Sequence, residues 1–263
     1  MPFTKRKRYR IQFPRTETHD IDQDEISFYL IENGHKKQVR FHDYDTIYQS
    51  PGLYEQLFYD RLKCNSPQKV VEILKHAVAA SEHNFTELRV LDFGAGNGIV
   101  GEVLKEQGVA RLIGADIIPE ARDSTYRDRP GVYDAYYVSD FTSLNEDVSE
   151  ELADWSINCL TTVAALGFGD IPPSAFFQAM QFVQPRGWIA FNIKETFLDN
   201  SDESGFSRLI RELIFSEYLD IHHLERYRHR LSMEGVPLYY FALVVQKTAE
   251  LPEDFLNKYG IED

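Results

Sequence analysis

The chain has 263 residues, 43% of them hydrophobic, and a formal net charge of −14. This length and composition fit one large globular α/β domain with a smaller appended piece, and the acidic balance argues against broad nucleic-acid binding, which rests on neutralising phosphates with Lys and Arg. No apolar run reaches the roughly 18 residues of a membrane span, the basic start lacks the apolar stretch of a secretory signal, and two cysteines, Cys64 and Cys159, are too few for a disulfide framework. A cytoplasmic protein with no membrane span is the expectation.

In chain order, residues 1–24 are polar and charged and are expected to pack poorly. The basic cluster Lys5-Arg6-Lys7-Arg8-Tyr9-Arg10 reads as solvated tail charge, offset by Asp20, Asp22, Asp24 and Glu25, ahead of its other reading as an arm for an anionic surface. Ile26–Ile31 and Lys37–Phe41 are β-type runs around Asn33-Gly34, a hairpin signal. Thr46–Leu62, dense in tyrosine, is expected to be helical after Pro51-Gly52. Ser66 as N-cap and Pro67 at the first helical position open a helix over Gln68–Ala80.

From there strands and helices alternate, which implies a parallel sheet. The expected strands are Arg89–Phe93, Arg111–Ala115, Ala135–Val138, Trp155–Leu160, Trp188–Ile193, Ile221–Leu231 and Leu238–Gln246. The expected helices are Ile99–Gln107, ended by Gly108, then Ser174–Val183 after Pro172-Pro173, and Phe206–Tyr218. Pro119–Tyr126 reads as a loop or short helix and Thr196–Gly205 as a polar, mobile stretch. The turn Ser232-Met233-Glu234-Gly235 joins the last two strands as an antiparallel edge. We divide the chain into an N-terminal tail, hairpin and lid segment (1–65), a main domain (66–250) and an acidic C-terminal tail (251–263).

The richest segment is Asp92-Phe93-Gly94-Ala95-Gly96-Asn97-Gly98-Ile99-Val100-Gly101, a strand end running through glycines into a helix. Asp116 ends the next strand, 18 residues past Gly98. Glycines admit a ligand to the backbone, and a carboxylate at that distance is placed to grip two ribose hydroxyls. A dinucleotide fingerprint starting at Gly94 would need a third glycine where Ile99 stands; starting at Gly96 it fits through Gly101, but leaves Asp92 unexplained. A carboxylate beside a pyrophosphate is repelled, whereas it suits a ligand with an ammonium group.

Asp92-x-Gly94-x-Gly96-x-Gly98 after a first strand resembles motif I of the class I S-adenosylmethionine-dependent methyltransferases, and the resemblance extends from about residue 70 to residue 247. It implies a Rossmann-like, seven-stranded α/β sheet with helices on both faces and an N-terminal hairpin or helical lid. It implies S-adenosylmethionine as cofactor, in-line transfer at the sulfonium methyl, and S-adenosylhomocysteine as product. Gly94, Ala95, Gly96 and Gly98 would wrap the methionine portion. Asp92 would orient its ammonium, directly or through water, Asp116 would bind the ribose, and Ile117 would pack on the adenine. Val138-Ser139-Asp140-Phe141 resembles the family's third strand end, with Asp140 toward the adenine amino group and Phe141 beside the ring. Pro185-Arg186-Gly187-Trp188 resembles the turn into the fifth strand.

Leu160-Thr161-Thr162 lies at the expected fourth strand end, facing the crevice, so Thr161 joins the candidate site. Tyr48 and Tyr54 would fold over the donor as a lid, by resemblance; packing in an amphipathic helix is the other reading. Base candidates are His42, Tyr48, Tyr54, His222 and His223, the last two pointing to opposite faces of a strand. Asp170-Ile171-Pro172-Pro173 matches an amino-methylating Asp-Pro-Pro-aromatic motif poorly and reads as a loop into a helix. Cys159 reads as a small buried residue, and no His/Cys/Asp cluster has metal-ligand spacing. A small-molecule acceptor is expected, given the acidic balance and the lack of a nucleic-acid-reading motif, with a protein or tRNA acceptor left open. An NAD(P)-dependent oxidoreductase is the runner-up, but Tyr59-x-x-x-Lys63 precedes the glycine loop, where short-chain dehydrogenases place that pair well after it. A non-catalytic S-adenosylmethionine-binding module is the third class.

Overall fold

The computed structural model describes residues 7–14, 26–32, 34–166, 170–198 and 205–262. Most of the basic cluster and the hairpin strands fall among them; Lys5, Arg6, Asn33, the acidic residues 20–25 and most of 196–205 lie outside. The N-terminal sheet has three antiparallel strands, β1 (Arg10–Gln12), β2 (Ser27–Glu32) and β3 (His35–Arg40). The expected hairpin is there, but residues 10–12 are not loose: Ile11 is buried and pairs with Leu30. A helix α1 (Tyr44–Gln49) and a π-helical segment (Glu55–Arg61) follow, separated at Ser50-Pro51-Gly52, so Thr46–Leu62 is two pieces rather than one helix. These elements bury Phe28, Phe41, Ile47, Leu53 and Leu57 as a core of their own.

Then come α2 (Ser66–Ala79), β4 (Arg89–Phe93), α3 (Ile99–Glu106), β5 (Arg111–Asp116), α4 (Pro119–Asp128), β6 (Ala135–Val138), α5 (Glu146–Asp154), β7 (Cys159–Thr162), α6 (Pro173–Gln181), β8 (Trp188–Lys194), α7 (Phe206–Phe215), β9 (Leu219–Leu231), β10 (Pro237–Lys247) and α8 (Phe255–Tyr259). The main sheet has seven strands in the order β6-β5-β4-β7-β8-β10-β9. The first five run parallel; β10 is antiparallel to both β8 and β9. Chain order reverses between β4 and β7, and the carboxyl ends flanking that switch are where ligands bind in open α/β sheets.

Both sheet faces are covered. Phe176, Met180, Phe191, Phe206 and Leu209 fill one side, and Val70, Leu74, Leu104, Trp188 and Val244 the other. Along β4 the period-two alternation sends Leu91 and Phe93 to the first side and Val90 to the second. The C-terminal stretch is not a free tail: Leu251 and Phe255 are buried, and Phe255 stacks on Phe177 at 5.5 Å.

Three local expectations change. Ser66 is the first residue of α2, not its cap; Asn65 holds the cap position, and the Ser66 hydroxyl is committed to His229 Nδ1 at 2.6 Å and to the Tyr227 hydroxyl at 2.7 Å. The fourth core strand is Cys159–Thr162, because Trp155 closes α5, a helix that the sequence reading passed over. Pro119–Asp128 is a full helix.

Candidate active site

The turn from β4 into α3 carries Gly94, Gly96 and Gly98 at φ of 72°, 54° and 83°. L side chains rarely adopt this left-handed region. The turn also has no room: a Cβ on Gly94 would lie 2.7 Å from the Ala165 Cβ, and one on Gly96 2.6 Å from the Tyr48 hydroxyl. The Gly94 and Ala95 amides both donate to the Ala115 carbonyl, at 2.9 and 3.0 Å. The Gly96 carbonyl accepts from the Tyr136 and Thr125 hydroxyls. The loop is thus fastened to β5, β6 and α4 from beneath.

Asp116, at the end of β5, accepts from the Gly96 amide at 2.8 Å and the Ile118 amide at 3.0 Å. Burial pushes its carboxyl up, while those amides pull it down. A carboxylate has about four lone-pair sites, so two remain for a ligand's hydroxyls.

Asp92 is placed differently from expectation. It is 1% exposed and lies under the loop, its carboxylate accepting from the Tyr133 hydroxyl at 2.6 Å and from Thr161 Oγ1 at 2.8 Å. Asp92 and Thr161 are cross-strand neighbours in the β4/β7 register, so both side chains share one face of the sheet. Burial raises the Asp92 carboxyl to about 7, against the lowering effect of these two hydroxyls. Neither residue reaches the cavity. Thr161 and Thr162 are fully buried, and the wall where they were expected is built by Val163, Ala164 and Ala165. Gly98 also stays off the wall, packed against Thr125 and Val132.

The cavity itself encloses about 350 Å³ beside the loop. Gly94, Ala95, Gly96, Asp116, Ile117, Asp140, Phe141 and Tyr48 line it, all from the sequence-derived set. Ile117 is 56% exposed, an apolar side chain left open on the wall. Asp140 sits at the rim, its carboxylate accepting from the Thr142 amide and hydroxyl, which hold it below the usual carboxylate range. Phe141 is buried against Phe93 at 4.6 Å.

The roof comes from the N-terminal piece. Tyr44, Tyr48, Tyr54 and Tyr59 line the cavity, with Tyr48 stacked on Tyr44 at 5.9 Å and tilted on Tyr54 at 5.3 Å. Burial pushes all four phenols up, so they stay neutral. A buried ion pair latches the roof: Arg129 Nη2 meets Glu55 Oε1 at 2.9 Å, with 6% and 12% side-chain exposure. Asn97 of the glycine loop donates to the same Glu55 oxygen, and its carbonyl accepts from Arg129. Arg127 donates to the Tyr48 carbonyl at 3.0 Å.

His42 and Asp170 also line the cavity and pair, Nδ1 to Oδ2 at 2.9 Å. A side pocket of about 50 Å³ shares their wall and adds Cys64, His229, Arg230 and Tyr240. The sequence reading raised His42 and set Asp170 aside as part of a loop into a helix, whereas Asp170, Ile171 and Pro172 all line the cavity; it missed Arg230, Glu55 and Arg129. No local pattern marks them; Asp170 meets His42 across 128 positions of chain. His222 and His223 stay off the cavity; His222 packs on Trp188 and His223 pairs with Glu225. Cys159 is fully buried and its thiol is pushed up by burial, as suits a packing residue.

A methyltransferase-domain family model matches residues 67–233, more than half of the chain. Among solved structures, magnesium protoporphyrin IX methyltransferase from Synechocystis PCC 6803, with bound S-adenosylmethionine, superposes with a TM-score of 0.52 at 15% identity, over 78% of this chain and 98% of its own. The N-methyltransferase NodS from Bradyrhizobium japonicum WM9, in complex with S-adenosylhomocysteine, gives 0.52 at 12% identity, over 80% and 98%. At these identities they establish the fold. No curated protein matches the sequence significantly. Glycine loop, terminal carboxylate, strand order and family match agree: the chain belongs to the methyltransferase-domain family of class I S-adenosylmethionine-dependent enzymes.

Proposed function

We propose that this enzyme methylates a small-molecule acceptor in a cavity roofed by the N-terminal tyrosines. The observation that carries this reading is the roof of Tyr44, Tyr48, Tyr54 and Tyr59, which together with His42 and Asp170 covers the cavity beside the glycine loop and leaves the acceptor a walled, partly apolar approach of the kind usual for small-ligand sites. No helix among the described residues is long and apolar enough to cross a membrane. Cys64 and Cys159 are both free, which suits a reducing compartment such as the cytoplasm.

When bound, S-adenosylmethionine supplies the electrophilic sulfonium methyl. Gly94, Ala95 and Gly96 let the backbone approach the methionine portion, Asp116 accepts from the ribose hydroxyls, and Ile117 covers the adenine. Asp92 acts from beneath, its ionisation favoured by a cation held above the loop. Tyr44, Tyr48 and Tyr54 exclude water. Most of the rate comes from holding the reactants in contact. For an acceptor that carries a proton, His42, which pairs with Asp170 on the cavity wall, is the base.

Calorimetric titration with S-adenosylhomocysteine and with NADH tests the reading. We expect binding of the former alone, weakened by about 1–3 kcal/mol in Asp116→Ala, the scale for stranding polar partners. Binding of NADH alone would revive the dinucleotide reading. Unchanged affinity in a folded Asp116→Ala would remove that residue from the site.

A further inference from the structure

The side pocket differs from the main cavity in its chemistry. Its wall includes Tyr44, Asp170, His229, Arg230 and Tyr240, but no residue of the glycine loop and not Asp116. It therefore opens off the acceptor side. Arg230 is 7% exposed, a buried cation on β9. Among the described residues it donates one hydrogen bond, Nη1 to the Leu231 carbonyl at 3.0 Å, and lies 5.5 Å from the centre of the Phe41 ring. No carboxylate pairs with it among the described residues. A buried guanidinium without an anion is costly, and its remaining N–H groups form a fork that matches a carboxylate in two parallel bonds. The hydroxyls of Tyr44 and Tyr240 have no hydrogen-bond partner among the described residues and stay protonated, so they add donors to the same pocket.

Resting on the methyltransferase reading, we infer that the acceptor is a carboxylate-bearing small molecule whose acid group seats on Arg230, with Tyr44 and Tyr240 as further donors. The pocket's volume of about 50 Å³ exceeds the roughly 15 Å³ that one water needs and admits a group of carboxylate size. Asp170 on the same wall opposes any anion, but a phosphate dianion is bulkier and carries nearly twice the charge of a carboxylate, so it is opposed more strongly. Seating the acid there leaves the rest of the acceptor along the wall that holds His42, facing the main cavity.

The test uses the full chain saturated with S-adenosylhomocysteine, titrated at constant ionic strength with acetate and benzoate, with acetamide and benzamide, and with phenyl phosphate. The wild type should bind at least one carboxylate tenfold or more tighter than its amide. Arg230→Gln should abolish that preference while leaving S-adenosylhomocysteine affinity unchanged. Because Arg230 is buried and its replacement risks the fold, Tyr240→Phe is the second variant; it keeps the ring stacked on His229 and should weaken the carboxylate severalfold. No carboxylate preference in the wild type, a preference for phenyl phosphate, or a preference surviving both variants overturns the proposal. So does loss of S-adenosylhomocysteine binding in Arg230→Gln, which would assign the guanidinium to the donor. Failure of the wild type to bind S-adenosylhomocysteine at all is a different result and strikes the parent reading.

Discussion

The floor and the roof of the cavity are built on different principles. The floor is local in sequence: β4, the glycine turn and α3 span Arg89–Glu106, with Asp116 one strand away, and backbone amides and carbonyls make most of the fastening. The roof is a separate three-stranded sheet with two short helical pieces and its own apolar core. It meets the floor through side chains drawn from distant positions: Glu55 to Arg129, His42 to Asp170, Arg127 to the Tyr48 carbonyl. A floor made of backbone geometry is pre-organised. The roof is tied to β9 by the backbone bonds Leu231–Leu62 and Asn65–His229, but over the glycine loop it rests, among the described residues, on side chains alone, so its tip can move without unfolding what lies below, as a chamber that must admit donor and acceptor requires.

The largest expected effect comes from cutting the latch. Arg129→Ala leaves Glu55 buried without its cation, beside an oxygen, Oε2, that already has no partner. Removing one member of a buried pair costs about 3–5 kcal/mol. Denaturant unfolding should show that loss, and S-adenosylhomocysteine affinity should fall as well, because Arg129 also holds the carbonyl of Asn97 in the glycine loop. The double variant Arg129→Met, Glu55→Met should recover much of the stability, since no charge is stranded. If Arg129→Ala is neutral in both measurements, the ion pair is not what holds the roof.

The next effect belongs to the floor and is read in pH. Asp92 titrates at about 7 in the folded protein, against 3.8 ordinarily. Between these values the folded state keeps a proton that the unfolded chain has lost, so the stability contributed by Asp92 is full below about pH 4 and is lost as pH rises to about 7. The slope approaches about 1.4 kcal/mol per pH unit. Burial raises Asp116 too, so its contribution has the same sign. Asp92→Asn should therefore flatten the decline in unfolding free energy across this window without abolishing it, and above pH 7 should be the more stable protein. An unaltered slope would mean that Asp92 is ionised in the fold.

The same contrast decides what the sequence discloses. The glycine turn is legible because three left-handed positions and a tight approach leave little choice of residue, and Asp116 follows from the strand that must come next. Asp92 was visible as a carboxylate but not in its direction: strand alternation turns it to the buried face, with Thr161 as its neighbour. Thr161 itself was misplaced because the apolar run Trp155–Leu160 looks like a strand, while α5 in fact consumes its beginning; the strand end moves to Thr162, and Val163–Ala165 arrive at the cavity instead. Asp170 stands in an Asp-Ile-Pro-Pro stretch that departs from the motif it resembles and reads as a loop, and Arg230 carries no pattern at all. They gain meaning only when the fold closes around His42 and the side pocket.

The smallest effect joins floor to roof at one contact. A methyl group on Gly96 would stand 2.6 Å from the Tyr48 hydroxyl and 3.4 Å from its Cζ. Gly96→Ala therefore carries two costs: about 1–2 kcal/mol for an L residue in the left-handed region, and the displacement of Tyr48 from the roof. Tyr48→Phe removes only the second, since the hydroxyl oxygen is the nearer atom. A double-mutant cycle in unfolding free energy should thus show coupling of about 1 kcal/mol, the double variant being less damaged than the sum of the singles, within the range found for touching residues. In S-adenosylhomocysteine affinity the cycle should show coupling of the same sign, because the displaced tyrosine lines the donor's cavity. Strict additivity in both would mean that the roof yields freely at Tyr48, and that the closed chamber is one position of a lid already loose at its tip.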